Sequence, residues 1–197
     1  MTDIKKQKEE FLKIYNENIK REGAAQLLDF IKSSDFFEAP ASTKFHSAFD
    51  GGLCFHSVNV YHRFKELVLN EYGKDYAKVI DDESIAVIAL LHDICKVNFY
   101  KKEMRNVKVE NEWVKQPYYT VEDSLPFGHG EKSVYMISAY IKLSRAEAMA
   151  INWHMGGFDQ RVVGGSYAMS EAFYKFPTAA LFHIADVMAT YLDETVK

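Results

Sequence analysis

The residues of this chain most able to do chemistry are ionisable groups set inside apolar helical patterns. His92-Asp93 follows the apolar run Ile85 to Leu91 directly and precedes Ile94-Cys95, and Asp186 interrupts the run from Ala179 to Ala189. An unpaired buried carboxylate is costly, so each of these acids needs hydrogen-bonding partners or a cation. More imidazoles join them: His56 early in a helix after Gly51-Gly52, His129 in Phe127-Gly128-His129-Gly130, and His154 closing a helix after Ile151-Asn152-Trp153. Neutral imidazole with carboxylate suits Mn, Fe, Co, Ni or Zn, whereas Ca or Mg takes more oxygen ligands. Neighbours on a helix diverge by about 100°, so His92 and Asp93 can offer two side chains to one metal while Asp93 bridges to a second. The plain alternative at each position is a structural network, with an aspartate accepting from a helix cap or pairing with Lys96 or a core histidine.

The elements that must position these groups read as one mostly helical domain, interrupted once. Helical spacing runs from about Ile4 to Ile19, from Gly23 to Ile31 and from about Leu53 to Tyr72. Asp82 or Ser84 caps an almost wholly apolar helix that belongs in the middle of the core. Helical pattern returns from about Glu131 to Leu143. Ser144-Arg145-Ala146-Glu147 resembles a capping box for a helix to about Met155, and Pro177 opens the last helix, to about Asp193. Between them, Phe99 to Val121 is rich in strand formers around Glu110-Asn111-Glu112, the pattern of a hairpin.

Composition narrows the classes. The 197 residues suit one domain, and 48% hydrophobic with 26% charged residues excludes global disorder. A net charge of −4 leaves no broad polycationic face for duplex nucleic acid. Two cysteines are too few for a disulfide framework and suit a reducing compartment. The opening segment lacks the apolar core of a signal peptide, and the run Ile85 to Leu91 is too short to span a bilayer. The expected location is the cytoplasm, with no membrane partner.

The order His56, His92-Asp93, Asp186 resembles the HD superfamily of metal-dependent phosphohydrolases. The strings that carry the resemblance are GGLCFHS (51–57), ALLHDICK (89–96), FGHGEKS (127–133), INWHMGG (151–157) and HIADVMATYLD (183–193), spread over about His46 to Asp193. His129 and His154 resemble subgroups that hold two metals. The leading FHSAFDGGLCFHS is similar to the HD domain of OB-fold-linked 3′–5′ exonucleases, although the residues before His46 read as helical and not as an OB-fold. The resemblance implies an all-α fold, a single HD-domain helical bundle with one β-hairpin insertion at about 99–121. N-terminal helices in 1–40 would pack on the core of an HD domain in 41–197.

By the same resemblance His56, His92, Asp93 and Asp186 form a first metal site, and Asp93 bridges to a second metal carried by His129 and His154. One or two divalent transition-metal ions (Mn, Fe, Co, Ni or Zn) would then hydrolyse a phosphate ester through a metal-bound hydroxide. Asp93 and Lys96 are the catalytic candidates. Lys96 follows His92 by one helical turn and can meet a phosphate oxygen or pair with Asp93. Arg63, Lys132 and His46 are candidate substrate contacts, and His183 a hydrogen-bonding residue behind the ligands. His62 points elsewhere around its helix, and Cys54 and Cys95 are assigned to packing. His154 is followed by Met155 where some two-metal relatives carry a second histidine, which argues against a third metal. The GYP signature of cyclic-di-GMP phosphodiesterases is absent.

The leading expectation is therefore a hydrolase for a small phosphorylated substrate, a nucleotide or short oligonucleotide. An exonuclease-like phosphodiesterase on single strands is the first alternative, because Lys101, Lys102, Arg105, Lys108 and Lys115 accompany Tyr100, Trp113, Tyr118 and Tyr119 on the hairpin. The intervening Glu103, Glu110 and Glu112 favour a plain solvated hairpin instead. A di-iron oxygenase and a non-catalytic helical scaffold complete the alternatives.

Overall fold

A helix apolar all round has no face to give to water. Beyond its polar first turn, Asp82–Leu91 is such a helix (α4), and every side chain from Ile85 to Leu91 is 0% exposed. In the computed structural model, which describes residues 4–194, the other elements surround it. Before it come α1 (Ile4–Asn18), α2 (Ala24–Ser33) and α3 (Gly52–Tyr72); after it come β1 (Tyr100–Val109) and β2 (Glu112–Val121). Then follow α5 (His129–Ser138), α6 (Arg145–Asn152), α7 (Gln160–Val163), α8 (Ala168–Lys175) and α9 (Pro177–Met188). The fold is an all-α bundle with one two-stranded antiparallel insertion.

Helix α3 packs on α4 and α9, α1 packs on α3 and α4, and α6 packs on α4, α5 and α9. Phe11, Leu27, Ile31 and Phe36 from the N-terminal segment share one apolar cluster with Leu53, Phe64, Leu90 and Phe182. Among the described residues no helix is long and apolar enough to cross a membrane.

Local chemistry explains most boundaries. The cap of α4 is Asp81, one residue before the expected Asp82, and its carboxylate accepts from the Ser84 backbone N–H at 2.7 Å. The Ser144–Glu147 capping box is present in both directions. Helix α5 stops at Ser138 rather than near Leu143, because the chain turns to stack Tyr140 on Phe30 and bury Ile141. Helix α6 likewise stops at Asn152, short of Met155. The last helix does not run unbroken to Asp193: after Met188 it widens into a π-helical turn over Ala189–Asp193. Helix α8 lies in an exposed stretch whose pattern announced no helix; Ala172 is its buried residue.

The hairpin turns on Glu110 and Asn111, with φ of 48° and 72°. Two successive positive φ values make the primed turn that matches strand twist. This fixes the register, with Val109 opposite Glu112, Lys108 opposite Trp113 and Tyr100 opposite Val121.

Candidate metal centre

Three helices and the ends of two more converge on the middle of the bundle. His56 comes from the first turns of α3, and Asp186 from the last turn of α9. His92 is the C-cap of α4, and Asp93 lies just past it, before a 3₁₀ turn over Ile94–Lys96. The expected fan of His92 and Asp93 on one continuous helix is thus replaced by a helix end. His129 is the first residue of α5, and His154 lies two residues past α6. These two are brought together by Gly130, where a Cβ would sit 2.2 Å from the Asn152 carbonyl oxygen. Only glycine lets the start of α5 lie this close to the end of α6. Arg161 braces the same junction, donating to the Asn152 carbonyl and pairing with Asp159 and Glu131.

The side chains divide around the two oxygens of Asp93. His56 Nε2 is 3.2 Å from Asp186 Oδ1, 3.2 Å from His92 Nε2 and 3.7 Å from Asp93 Oδ2, while His92 Nε2 is 3.5 Å from Asp93 Oδ2. On the other side, Asp93 Oδ1 is 2.8 Å from His129 Nε2 and 3.5 Å from His154 Nε2. Ligands held about 2.1 Å from one transition metal lie roughly 3.0–3.4 Å from each other. The observed separations come close to that spacing.

Each imidazole is tied by its other nitrogen. His92 Nδ1 donates to the Ala89 carbonyl at 2.9 Å, and His154 Nδ1 to the Ile151 carbonyl at 2.6 Å. His56 Nδ1 meets the Glu194 carboxylate at 3.0 Å, and His129 Nδ1 lies 3.4 Å from Cys95 Sγ. With the proton on Nδ1, the neutral rings of His92 and His154 aim lone pairs at a carboxylate. Among the described residues, His154 Nε2 is buried without a hydrogen-bond partner. A lone pair facing an anionic oxygen across 3.5 Å is repulsive unless a cation lies between them. The donor set, its spacing and this orphaned nitrogen fit a divalent transition metal on each side of Asp93.

The electrostatics follow from burial among mixed charges. Burial pushes His92 down to about 3 and His46 to about 4. Burial also opposes charge on His56, but Glu194 and Asp186 overcome it and raise that ring to about 10. Burial disfavours the charged forms of Asp93 and Asp186 as well, yet Lys96 and the imidazoles hold Asp93, and His56 holds Asp186, well below the usual carboxylate range.

The remaining site candidates are placed as follows. Lys96 is buried, and its Nζ lies 2.6 Å from Asp93 Oδ2, so its first partner is the carboxylate. His46 packs 4.8 Å from the His56 ring, its Nε2 buried and without a hydrogen-bond partner among the described residues. His183 Nδ1 lies 2.6 Å from the His154 carbonyl oxygen, behind that residue, and Gly156 leaves room for its ring. Arg63 pairs with Asp193 and Glu66, and Lys132 with Asp123; neither forms a hydrogen bond or ion pair with the six ligand candidates. His62 faces Glu10 at the surface.

Two residues escaped the sequence reading. Glu194 accepts from Ser47 Oγ at 2.6 Å and Asn59 Nδ2 at 3.2 Å while holding His56. It reaches them because the π turn after α9 carries the chain back onto α3. Cys95, assigned to packing, touches His129.

The family model of the HD domain matches residues 55–189, which include all six ligand candidates. The chain belongs to the HD domain family, whose members are in general metal-dependent hydrolases of phosphate compounds. No curated protein and no solved structure matches the chain.

Proposed function

We propose that this protein hydrolyses a phosphate ester of a nucleotide or short oligonucleotide at a centre of one or two divalent transition-metal ions. His56, His92, Asp93 and Asp186 would hold one ion, and Asp93, His129 and His154 the other. The observation that carries this reading is the division of Asp93, with one oxygen toward His56 and His92 and the other toward His129 and His154. When bound, such ions polarise phosphoryl oxygens and acidify a coordinated water.

The chain's own residues set up that chemistry. The four Nδ1 contacts fix the rings so that each Nε2 faces inward without reorganisation. Lys96 offsets one of the buried negative charges through Asp93 and stays a positioning residue for it. Of the six side chains, His129 at 30% and Asp186 at 15% exposure are the ones open to solvent, so substrate enters on their side.

The test is elemental analysis of the purified protein, then chelation and reloading with Mn, Fe, Co, Ni or Zn. Each form is assayed on nucleotide mono-, di- and triphosphates and on dinucleotides. Turnover that follows the metal supports the reading; absence of phosphate-ester cleavage with every metal overturns it.

A further inference from the structure

The hairpin register sorts the charges that look interleaved in the sequence. Paired residues of an antiparallel ladder share a face, and alternate residues swap faces. Lys102, Lys108 and Lys115 therefore lie on one face with Met104, Trp113 and Tyr119, and that face carries no carboxylate. Glu103 and Glu112 lie on the opposite face, and Glu110 is in the turn.

The contacts agree with this division. On the opposite face, where Lys101 and Arg105 balance Glu103 and Glu112, Tyr118 donates to Glu103, Arg105 lies over the Tyr118 ring, and Lys101 pairs with Glu103 and Glu122. Among the described residues, the hydrogen bonds and ion pairs from the basic face to the body lie at its base. There Lys102 pairs with Asp50, Tyr119 bonds the same carboxylate, and the Tyr100 hydroxyl donates to the Ala41 carbonyl at 3.2 Å. Further out, Trp113 is 72% exposed, and among the described residues no carboxylate pairs with Lys108 or Lys115, which are both exposed. Eight residue steps from Tyr100 to Lys108 span about 26 Å. Tyr100 in turn lies near enough to Lys96 and Asp93 to feel their charges.

We propose that this basic face of the hairpin, built on Lys108, Trp113 and Lys115, binds single-stranded nucleic acid and leads it toward the metal centre. Solvated cations without intervening acids answer a phosphate backbone, and an exposed indole gives a base a surface on which to stack. The span exceeds a mononucleotide and suits an oligonucleotide. The assignment of this strand as substrate rests on the hydrolase reading above; the binding surface itself does not.

The experiment uses the full chain and fluorescein-labelled twelve-nucleotide dT and U strands, read by anisotropy with chelator present. Trp113→Ala is expected to weaken binding roughly 5- to 150-fold, the range of one lost base stack. The Lys108→Ala/Lys115→Ala variant should flatten the slope of log affinity against log salt by about 1.4, for two lost phosphate contacts. Lys101→Ala, on the charge-balanced opposite face, should bind within twofold of the wild type. With metal restored, the ratio of strand cleavage to bis(p-nitrophenyl) phosphate cleavage should fall in step with affinity. No strand binding, equal loss on both faces, or binding only to vesicles of phosphatidylcholine and phosphatidylglycerol overturns the proposal. Strand binding without any phosphate-ester cleavage would keep the surface and remove the hydrolase reading; mononucleotide cleavage without strand binding would do the reverse.

Discussion

Glu147 and Asp93 are both buried acids, at 1% and 2% exposure, and the chain answers them in opposite ways. Glu147 is enclosed by donors: Arg21 at 2.8 and 2.9 Å, the Ser84 hydroxyl at 2.8 Å and the Ser144 N–H at 2.7 Å. Its lone pairs are met by protons that belong to the chain. Asp93 has Lys96 and His129, but it also faces His92 and His154, whose rings are tied so that they present lone pairs. Burial of a charge by itself says little about function. What separates the brace at Glu147 from the candidate metal centre at Asp93 is whether the surrounding groups donate or accept.

The largest effect expected from breaking this contrast is at Asp93. Asp93→Ala should cut phosphate-ester turnover by roughly 10²- to 10³-fold. Metal at a hundred times its Kd stabilises a folded site by about 2.7 kcal/mol, roughly 5–10 °C in Tm for a chain of this size. Scanning calorimetry should find that shift in the wild type and none in Asp93→Ala. Glu147→Ala should do the reverse, lowering stability by about 2–3 kcal/mol in urea unfolding while elemental analysis finds unchanged metal. The figure stays modest because the Arg21 side chain left behind is 20% exposed and can take water.

A finer test is Glu194→Gln, which keeps the shape but weakens the hold on His56. Metal affinity by competition with a chromophoric chelator should drop about 10- to 100-fold, with Tm of the metal-free protein little changed. Affinity equal to the wild type would show that the π turn positions nothing of consequence.

The smallest effect is in pH. Burial opposes the charge on Glu147, but Arg21, the Ser144 N–H and the Ser84 hydroxyl outweigh it and hold the carboxyl below its usual 4.5. Its stabilisation is therefore full above 4.5, where both folded and unfolded chains carry the anion. It is lost as pH falls through the lower folded value, because the unfolded chain takes up its proton first. Urea midpoints of wild type and Glu147→Gln should converge below pH 4.5; a gap constant from pH 7 to pH 3 contradicts this.

How much of this was legible beforehand depended on whether a residue broke a pattern. His92-Asp93 and Asp186 stood out because each interrupts an apolar helix, and the hairpin because strand formers flank a turn. Glu194 broke nothing: an acid after Asp193 reads as ordinary surface, and only a widened turn in three dimensions returns it to His56. The Lys96 pairing with Asp93 was one of two readings, and the 3₁₀ turn that produces it follows a helix end the apolar run gave no sign of. Helix α8 was silent because it buries so little. The charge segregation on the hairpin was hidden for a different reason, since linear order mixes residues that strand pairing sends to opposite faces.

His56 and the carboxylate that orients it are 138 positions apart. A ribosome adding ~5–20 residues per second exposes that histidine roughly 7–28 s before Glu194 exists. Until then the growing chain holds imidazoles and acids with no shared geometry. The full set of groups proposed to hold an ion, with Asp186 and the Glu194 that steadies His56, is therefore complete only once the last turn of the chain has been made.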